Sequence, residues 1–436
     1  MRYASIPFNH NQIGWPAGKR YSPHPVLQND MTADWVIVGA GFAGVAFARR
    51  LAELDASLKI VLVDAYSSPE SSSARNSGFV IGLPHNIGSS TAELQKAESY
   101  RNLLQEGIHQ LRRVIAEHNI QCDWEVAGKY HCQVEQGNNR LLEEYAHHLD
   151  LMGESWEYFG RDQLHTRLGT RFYSQAIYTP GCVLVNPAQL IDGLRHSLPE
   201  NVLCFDNSPV MGINYGKKAE VLTPFGNITT NRVMLATNAL SPELTPGVTR
   251  QAAMATFASI TEPLTDEQLA TLPPMKSWGL TPVNAIAGAT FRFTPDKRFL
   301  IRQHVTPALK GKVSAAQTYE ATLRHQQLFN KVYPTLTDVR LAHTWSGTIS
   351  VTRNGAPLWA RLNKHLYTAG GCNGAGVSKQ TIAGSLLAER IMKHDNPLIE
   401  DMLSLGKANF MPPSPALDIG IACTLFKERY QGRKEI

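Results

Sequence analysis

The chain is short of several features that would narrow its class. It has six cysteines, at 122, 132, 182, 204, 372 and 423, and none falls in a C-x-x-C pair. That scatter argues against a disulfide framework and against a zinc ribbon. No apolar run approaches the roughly 20 residues needed to cross a bilayer, so no membrane span is expected. The first thirty residues carry Pro16, Pro23 and Pro25 and no apolar core of a secretory signal, and a cytoplasmic setting is the expectation. Charge is sparse too, at 18% of residues with a net charge of +5. Lysine and arginine are spread thinly, and the one dense group, the terminal KERYQGRKEI, reads as a solvated tail. With no basic stripe and no aromatic stacking platform, a nucleic-acid partner is not expected. Glu144 and His147 have the i, i+3 spacing of a helical metal motif, but no second such pair occurs and no metal is expected.

What is present is a 436-residue chain, 43% hydrophobic, long enough for two or three domains. Its most informative stretch is DWVIVGAGFAGVAF, residues 34 to 47. A short apolar run, Trp35 to Val38, ends in G-x-G-x-x-G at Gly39, Gly41 and Gly44, and FAGVAFARRLAEL then has a helical apolar face. A second buried-type strand, Ile60 to Val63, ends at Asp64 and Ala65, and the acid stands 64 − 44 = 20 residues beyond the third glycine. Strand, glycine turn, helix, strand and acid make a βαβ unit that holds a dinucleotide. In that unit the first glycine makes the turn, the second admits the pyrophosphate and the third lets helix and strand pack. The phosphates rest on the helix N-terminus and the acid accepts from the adenosine ribose.

Further on, a capping box at Ser90 and Glu93 predicts the start of a long amphipathic helix through Leu104, Ile108, Leu111 and Ile115. YHCQVEQ predicts a strand and NRLLEEYAHHLDLMG a helix. Residues 202 to 236 read as a β-meander, 250 to 310 as further strands, and AAQTYEATLRHQQLFNKVYP as a helix. The closing segment HLYTAGGCNGAGVSKQTIAGSLLAERIMKH repeats the opening theme of strand, glycine turn and helix. Gly370 lies 370 − 44 = 326 residues after the first turn. A nicotinamide dehydrogenase completes its site within one contiguous Rossmann domain. A second glycine turn this late favours FAD, with another helix N-terminus aimed at the flavin, where its dipole stabilises negative charge on the reduced ring.

The chain resembles the D-amino-acid-oxidase-like flavoprotein superfamily, and within it most nearly the γ-glutamylputrescine oxidase type. The pieces that carry the likeness are ADWVIVGAGFAG, SSARNSGFV, PGCVLVNPAQLIDGL, RVMLATNALSPEL, WSGTISVTRNGAP and YTAGGCNGAGVSKQTIAGSLLAE, which together cover most of residues 30 to 395. The resemblance implies an α/β (mixed α+β) two-domain flavoprotein, with a Rossmann-like FAD domain and a substrate domain on a mixed antiparallel sheet. The expected division is an N-terminal extended segment (1–30), an FAD domain from 31–100, 180–245 and 335–398, a substrate domain from 101–179 and 246–334, and a tail (399–436). It also implies non-covalent FAD. SARNSG would pass beside the cofactor with Ser73, Arg75, Asn76, Ser77 and Gly78. Val210 would meet the adenine, Thr237 lies in the matching ATNA segment, and Gly371, Asn373, Gly374, Ala375, Gly376 and Val377 would face the flavin.

The chain departs from the family pattern at Asn238, where many relatives carry glycine, and at Leu358 and Trp359, where a glycine commonly follows the proline. Cys372 reads as a packed turn residue, because the family's covalent cysteine lies in a different segment. Arg292, Arg302 and Trp345 are the candidates for the substrate face of the flavin. The implied reaction is oxidation of a small-molecule amine by hydride transfer to flavin N5, followed by hydrolysis of the imine, with O2 or another acceptor taking the electrons. γ-Glutamyl, polyamine or secondary amines are the favoured substrates. The alternatives are an oxidase or dehydrogenase of the D-amino acid or glycine type, and a flavin-containing RNA-modifying or assembly module.

Overall fold

The computed structural model describes residues 11–16, 18, 22–84, 96–134, 140–245, 250–308 and 311–434. The capping box expected at Ser90 and Glu93 lies outside them; the helix that it was to open is described over Ala97–Glu117.

The first strand, Met31–Val38, becomes fully buried over its last four residues. Its end pairs in parallel with two neighbours, Ile60–Val63 on one side and Arg232–Leu235 on the other. Strands covered on both faces carry continuous apolar runs rather than alternation, which is why WVIV and IVLV read as they do. Trp35, Ile37, Ile60 and Leu62 face a helical layer, whereas Val36, Val38, Val61 and Val63 meet Ala219, Val221 and Ile228 of a small antiparallel meander. The helical layer is Phe42–Leu54 against Gly376–Met392, with Ala97–Glu117 packed on the latter. Small residues permit this: a Cβ on Gly384 would strike the carbonyl oxygen of Ala43.

The meander comprises Gly212–Tyr215, Ala219–Leu222 and Asn227–Leu235. The segment Val202–Phe205, expected within it, pairs instead in parallel with Ile60–Val63 at the far edge. On the other side Val233–Leu235 takes Leu366–Thr368 in parallel, so a strand from the end of the chain joins one from its middle.

The second sheet runs Leu341–Val351, Ala252–Thr261, Phe299–Pro307, Thr290–Phe293, Trp278–Pro282, Lys129–Gln133, Gln175–Thr179 and Glu157–Gly160. All its pairings are antiparallel except the one between Trp278–Pro282 and Lys129–Gln133. One face carries Phe291, Phe293 and Phe299 onto Phe329 and Tyr333, at the end of helix Ala315–Val332. Alternation then turns Thr290, Arg292 and Arg302 to the opposite face, toward the nucleotide-binding half.

Three expected boundaries fall elsewhere. Strand Leu341–Val351 belongs to the second sheet, although 335–398 was expected with the FAD domain. Helix Ala97–Glu117 lies in the helical layer beside Gly376–Met392, not with the substrate sheet. The expected tail contains two helices, Leu398–Ser404 and Ala416–Gln431, and the second buries Leu425 beside Met254 and Val305. That contact precedes KERYQGRKEI, in which Lys427, Arg433 and Lys434 are exposed.

Candidate active site

The first glycine turn owes its shape to steric necessity at two points. Gly39 has φ +102°, and a Cβ there would stand 2.7 Å from the carbonyl oxygen of Ala236. A Cβ on Gly44 would run into the carbonyl oxygen of Gly39, so only glycine lets the helix sit this close to the strand. Asp64 closes the unit: its Oδ2 accepts from Ala40 N–H at 2.7 Å and its Oδ1 from Tyr66 N–H at 3.0 Å. Those bonds fix the carboxylate at the end of the second strand.

One cavity runs from this turn across to the second sheet. At one end it is lined by Val38, Asp64, Ala65, Val210 and Thr237, and then by Gly39, Gly41, Phe42 and Ser73. At the other end stand Asn76, Ser77, Phe79 and Ile81, then Thr281, Thr290, Arg302, Thr348 and Ile349 from the second sheet. The late turn contributes Cys372, Gly374, Gly376, Val377 and Gln380. Helices Phe42–Leu54 and Gly376–Met392 both begin at this cavity, so two helix N-termini supply positive potential to it.

Several predicted residues frame the cavity without lining it. Asn373 turns its side chain inward, where Nδ2 donates to Gly355 O at 2.8 Å and Oδ1 accepts from Thr352 N–H at 2.8 Å. Gly371 and Ala375 flank it in the same turn, as Gly44 does in the first. Arg75 is buried, and its guanidinium donates to the carbonyls of Glu70, Asn11 and Ser346. Trp345, fully buried, donates from its indole to Arg75 O at 3.0 Å. Arg292, 1% exposed, places Nη1 on three carbonyls: Val185 at 2.5 Å, Gly78 at 3.2 Å and Ser77 at 3.4 Å. Burial draws its pKa down to about 10 against the pull of Asp123 and Glu125, so it remains charged at neutral pH. Arg292 and Trp345, candidates for the substrate face, therefore act as fasteners of the loop 71–78. The physical reason is that the Trp345 indole N–H and Arg292 Nη1 are engaged by backbone carbonyls, and neither residue is among those that line the cavity. Trp15 completes the clasp, donating to Asn76 O at 2.9 Å under the Arg292 guanidinium.

Arg302 has the opposite placement. It lines the cavity, with Nη1 donating to Ala285 O at 3.3 Å and Nη2 to Thr290 Oγ1 at 3.1 Å. Burial draws its pKa to about 10 as well. It is the one cation among the described lining residues. Sequence reasoning missed Thr281, Thr290, Thr348, Phe79 and Ile81, whereas Ile349, read as standing where the glycine-oxidase branch carries an arginine, does line the cavity. The register Thr290↔Arg302 shows the signal that could have found one of them: alternation within TFRF and FLIR, counted across the hairpin.

The cavity fits a flavin dinucleotide. Beyond the glycine turns and Asp64, two buried polar atoms of lining residues, Asn238 Oδ1 and Thr348 Oγ1, have no hydrogen-bond partner within the chain. Buried polar groups of this kind call for a polar ligand.

Residues 34–390 match the FAD dependent oxidoreductase family, DAO, and the chain belongs to it. Its cofactor is FAD. Among curated relatives, the chain is 26% identical over 386 residues to "Probable oxidoreductase OrdL" of Haemophilus influenzae, covering 86% of each chain. It is 25% identical over 395 residues to "Gamma-glutamylputrescine oxidoreductase" of Escherichia coli, covering 86% of this chain and 87% of the relative. Among solved structures it resembles glycine oxidase from Geobacillus kaustophilus with a TM-score of 0.71 at 16% identity, covering 88% of this chain and 100% of that one. L-proline dehydrogenase from P. horikoshii aligns with a TM-score of 0.68 at 16% identity, over 85% and 96% of the two chains. These likenesses establish the two-domain flavoprotein fold.

Proposed function

We propose that this oxidoreductase oxidises the C–N bond of an amine that lacks an α-carboxylate, of the γ-glutamyl-amine, polyamine or secondary-amine type. The observation that carries this reading is the charge of the substrate end of the cavity. The one cation among its described lining residues, Arg302, already has both terminal nitrogens engaged, with Ala285 O and Thr290 Oγ1. The strand position two residues after Gly347, where the glycine-oxidase branch carries an arginine, is Ile349, and it lines the cavity. A carboxylate held against isoleucine without a fork of donors would cost several kcal/mol. The likeness to a gamma-glutamylputrescine oxidoreductase supports the same substrate class.

FAD, when bound, supplies the two-electron acceptor. The chain supplies position and field. Phe79, Ile81 and Ile349 form apolar wall that excludes water, and hydroxyls of Thr281, Thr290 and Thr348 offer acceptors to an amine N–H. The amine loses a hydride and a proton to become an imine, which water converts to a carbonyl product and a free amine; no protein nucleophile is required.

A second reading rests on Arg302 itself: its remaining N–H groups could meet an α-carboxylate, as an amino-acid oxidase requires. Steady-state turnover of the purified yellow protein separates the two, using polyamines, γ-glutamyl amines and secondary amines beside glycine, sarcosine and D-alanine. Each is assayed with O2 and with an artificial acceptor. The amine reading expects the amines to lead, and an amino acid turned over faster than every amine would overturn it.

A further inference from the structure

Between strands Trp278–Pro282 and Thr290–Phe293 runs the loop 283–289. It is tied to the flavin cavity by the bond from Arg302, which lines that cavity, to Ala285 O. Its next two residues, Ile286 and Ala287, wall a second cleft of about 370 Å³. Gln303 Nε2 ties that part down by donating to Ala287 O at 2.9 Å.

Three long cations line this cleft, and they come from two different helices. Arg324 and Lys331 stand on Ala315–Val332, and Arg429 reaches in from Ala416–Gln431. No aspartate or glutamate is among its described lining residues. Arg429 is oriented by its bond to Val305 O at 2.7 Å, and the end of its helix packs against the same loop, where a Cβ on Gly432 would strike Ala287.

His304 is brought into the cleft by a break in the sheet. Thr256 pairs with Val305 but Phe257 pairs with Gln303, which leaves His304 as the extra residue of a bulge, with φ +68°. Bulges re-aim side chains, and a histidine in the left-handed region persists only where its surroundings fix it. The cleft's positive field is visible in its neighbours. Burial, then Arg429 and Arg324, draws the His304 pKa down to about 4. Burial and then Arg324 lower that of Arg429. The opposing carboxylate, Glu320, is already engaged with Arg324 through Nε at 3.0 Å and Nη2 at 2.7 Å.

We propose that this cleft is a second binding site, distinct from the flavin cavity, for a small di- or trianion such as a polycarboxylate or a phosphate. Arg324, Lys331 and Arg429 supply the charge, and Gln327 and the His304 ring supply neutral hydrogen-bonding groups. Guanidiniums converging from separate elements suit either oxyanion, because their planar forks match both carboxylate and phosphate. The site lies against the same loop whose Ala285 carbonyl Arg302 holds, so one hydrogen bond links that loop to the flavin cavity.

The test is isothermal titration of the FAD-loaded full chain at neutral pH, with sodium phosphate and sodium citrate as probes. Sodium chloride keeps the ionic strength constant. The expected result is saturable binding of at least one probe, with a dissociation constant on the order of 1 mM or tighter. Preference for phosphate or for citrate identifies which oxyanion the site takes. Arg324→Gln and Arg429→Gln should each weaken binding about tenfold or more. Glu320→Gln should tighten it several-fold by releasing Arg324, a gain that no misfolded variant would show. The proposal is overturned if neither probe saturates, if the arginine variants bind as the parent does, or if Glu320→Gln weakens binding as the arginine variants do.

Discussion

At the dinucleotide end of the main cavity the chain works largely through its backbone: two glycine turns, two helix N-termini and one carboxylate held by main-chain N–H groups. At the other end it works through side chains standing on a sheet, threonines, an isoleucine and an arginine, each placed by strand register. Arg292 and Arg302 show the difference within one hairpin. They share a face of the second sheet, on adjacent strands, and burial draws both to a pKa of about 10. Yet Arg292 places Nη1 on three carbonyls, two of them in the loop that borders the cofactor cavity, whereas Arg302 lines the cavity. The same residue type thus ties down a loop in one place and lines the cavity in another.

The largest effect should come from the backbone-built end. Gly41→Val puts a branched side chain where the pyrophosphate would lie, and the purified variant should be mostly apoprotein with its circular dichroism retained. Full flavin content, measured by absorbance after denaturation, would show that the phosphates rest elsewhere. Next come the two arginines. Arg302→Met should lower kcat/KM about tenfold or more with flavin content unchanged. Arg292→Met should instead cost about 1–3 kcal/mol of stability and reduce flavin retention, because it leaves buried carbonyls unpaired. If the two variants exchanged these signatures, the division between loop fastener and cavity lining would be wrong.

A smaller effect concerns acid. His131 and His325, both of the substrate half, are held neutral by burial, with pKa values pushed down to about 3. In the unfolded chain each would take a proton near its ordinary value of 6.5. The stability they contribute is therefore fully present above 6.5 and is lost as pH falls toward 3. The thermal midpoint should drop between about pH 7 and about pH 4, and His325→Gln should flatten that slope. A slope identical in the variant would place the acid sensitivity elsewhere. The smallest effect belongs to Lys129, on an interior strand of the second sheet. Its Nζ is buried with no hydrogen-bond partner, 5.7 Å from the Tyr145 ring. Lys129→Met should raise the midpoint by about 1–2 °C, since removing an unpaired buried charge relieves its desolvation. A lowered midpoint would mean that the ammonium is compensated.

How much of this was legible in the sequence follows the same division. Gly39, Gly44 and Asp64 could be read because backbone geometry demands those residues at fixed spacing. Asn373 was read as facing the flavin, but its conformation turns the amide toward Gly355 and Thr352, and no spacing rule reports a rotamer. The resemblance points to Arg292 through its hairpin and to Trp345 through the turn beside the flavin, yet their partners come from segments more than a hundred residues away. Thr281, Thr290 and Thr348 look like any strand threonine until register sets them around one space. Strand Leu341–Val351 lies within the 335–398 stretch expected of the cofactor domain, yet it pairs in the second sheet. Its partner strand, Ala252–Thr261, follows from long-range pairing that local pattern does not encode.

The two glycine turns have one more consequence. Gly41 and Gly374 are 374 − 41 = 333 residues apart, and strand Leu366–Gly370 must dock beside Val233–Leu235 before the second turn can face the first. During synthesis the first βαβ unit emerges early, but it waits for most of the polypeptide before its cofactor cradle has a second side. FAD can be captured tightly only near the end of assembly, so it acts as a latch on the finished chain. Its binding then stabilises by mass action a structure whose halves were made far apart in time.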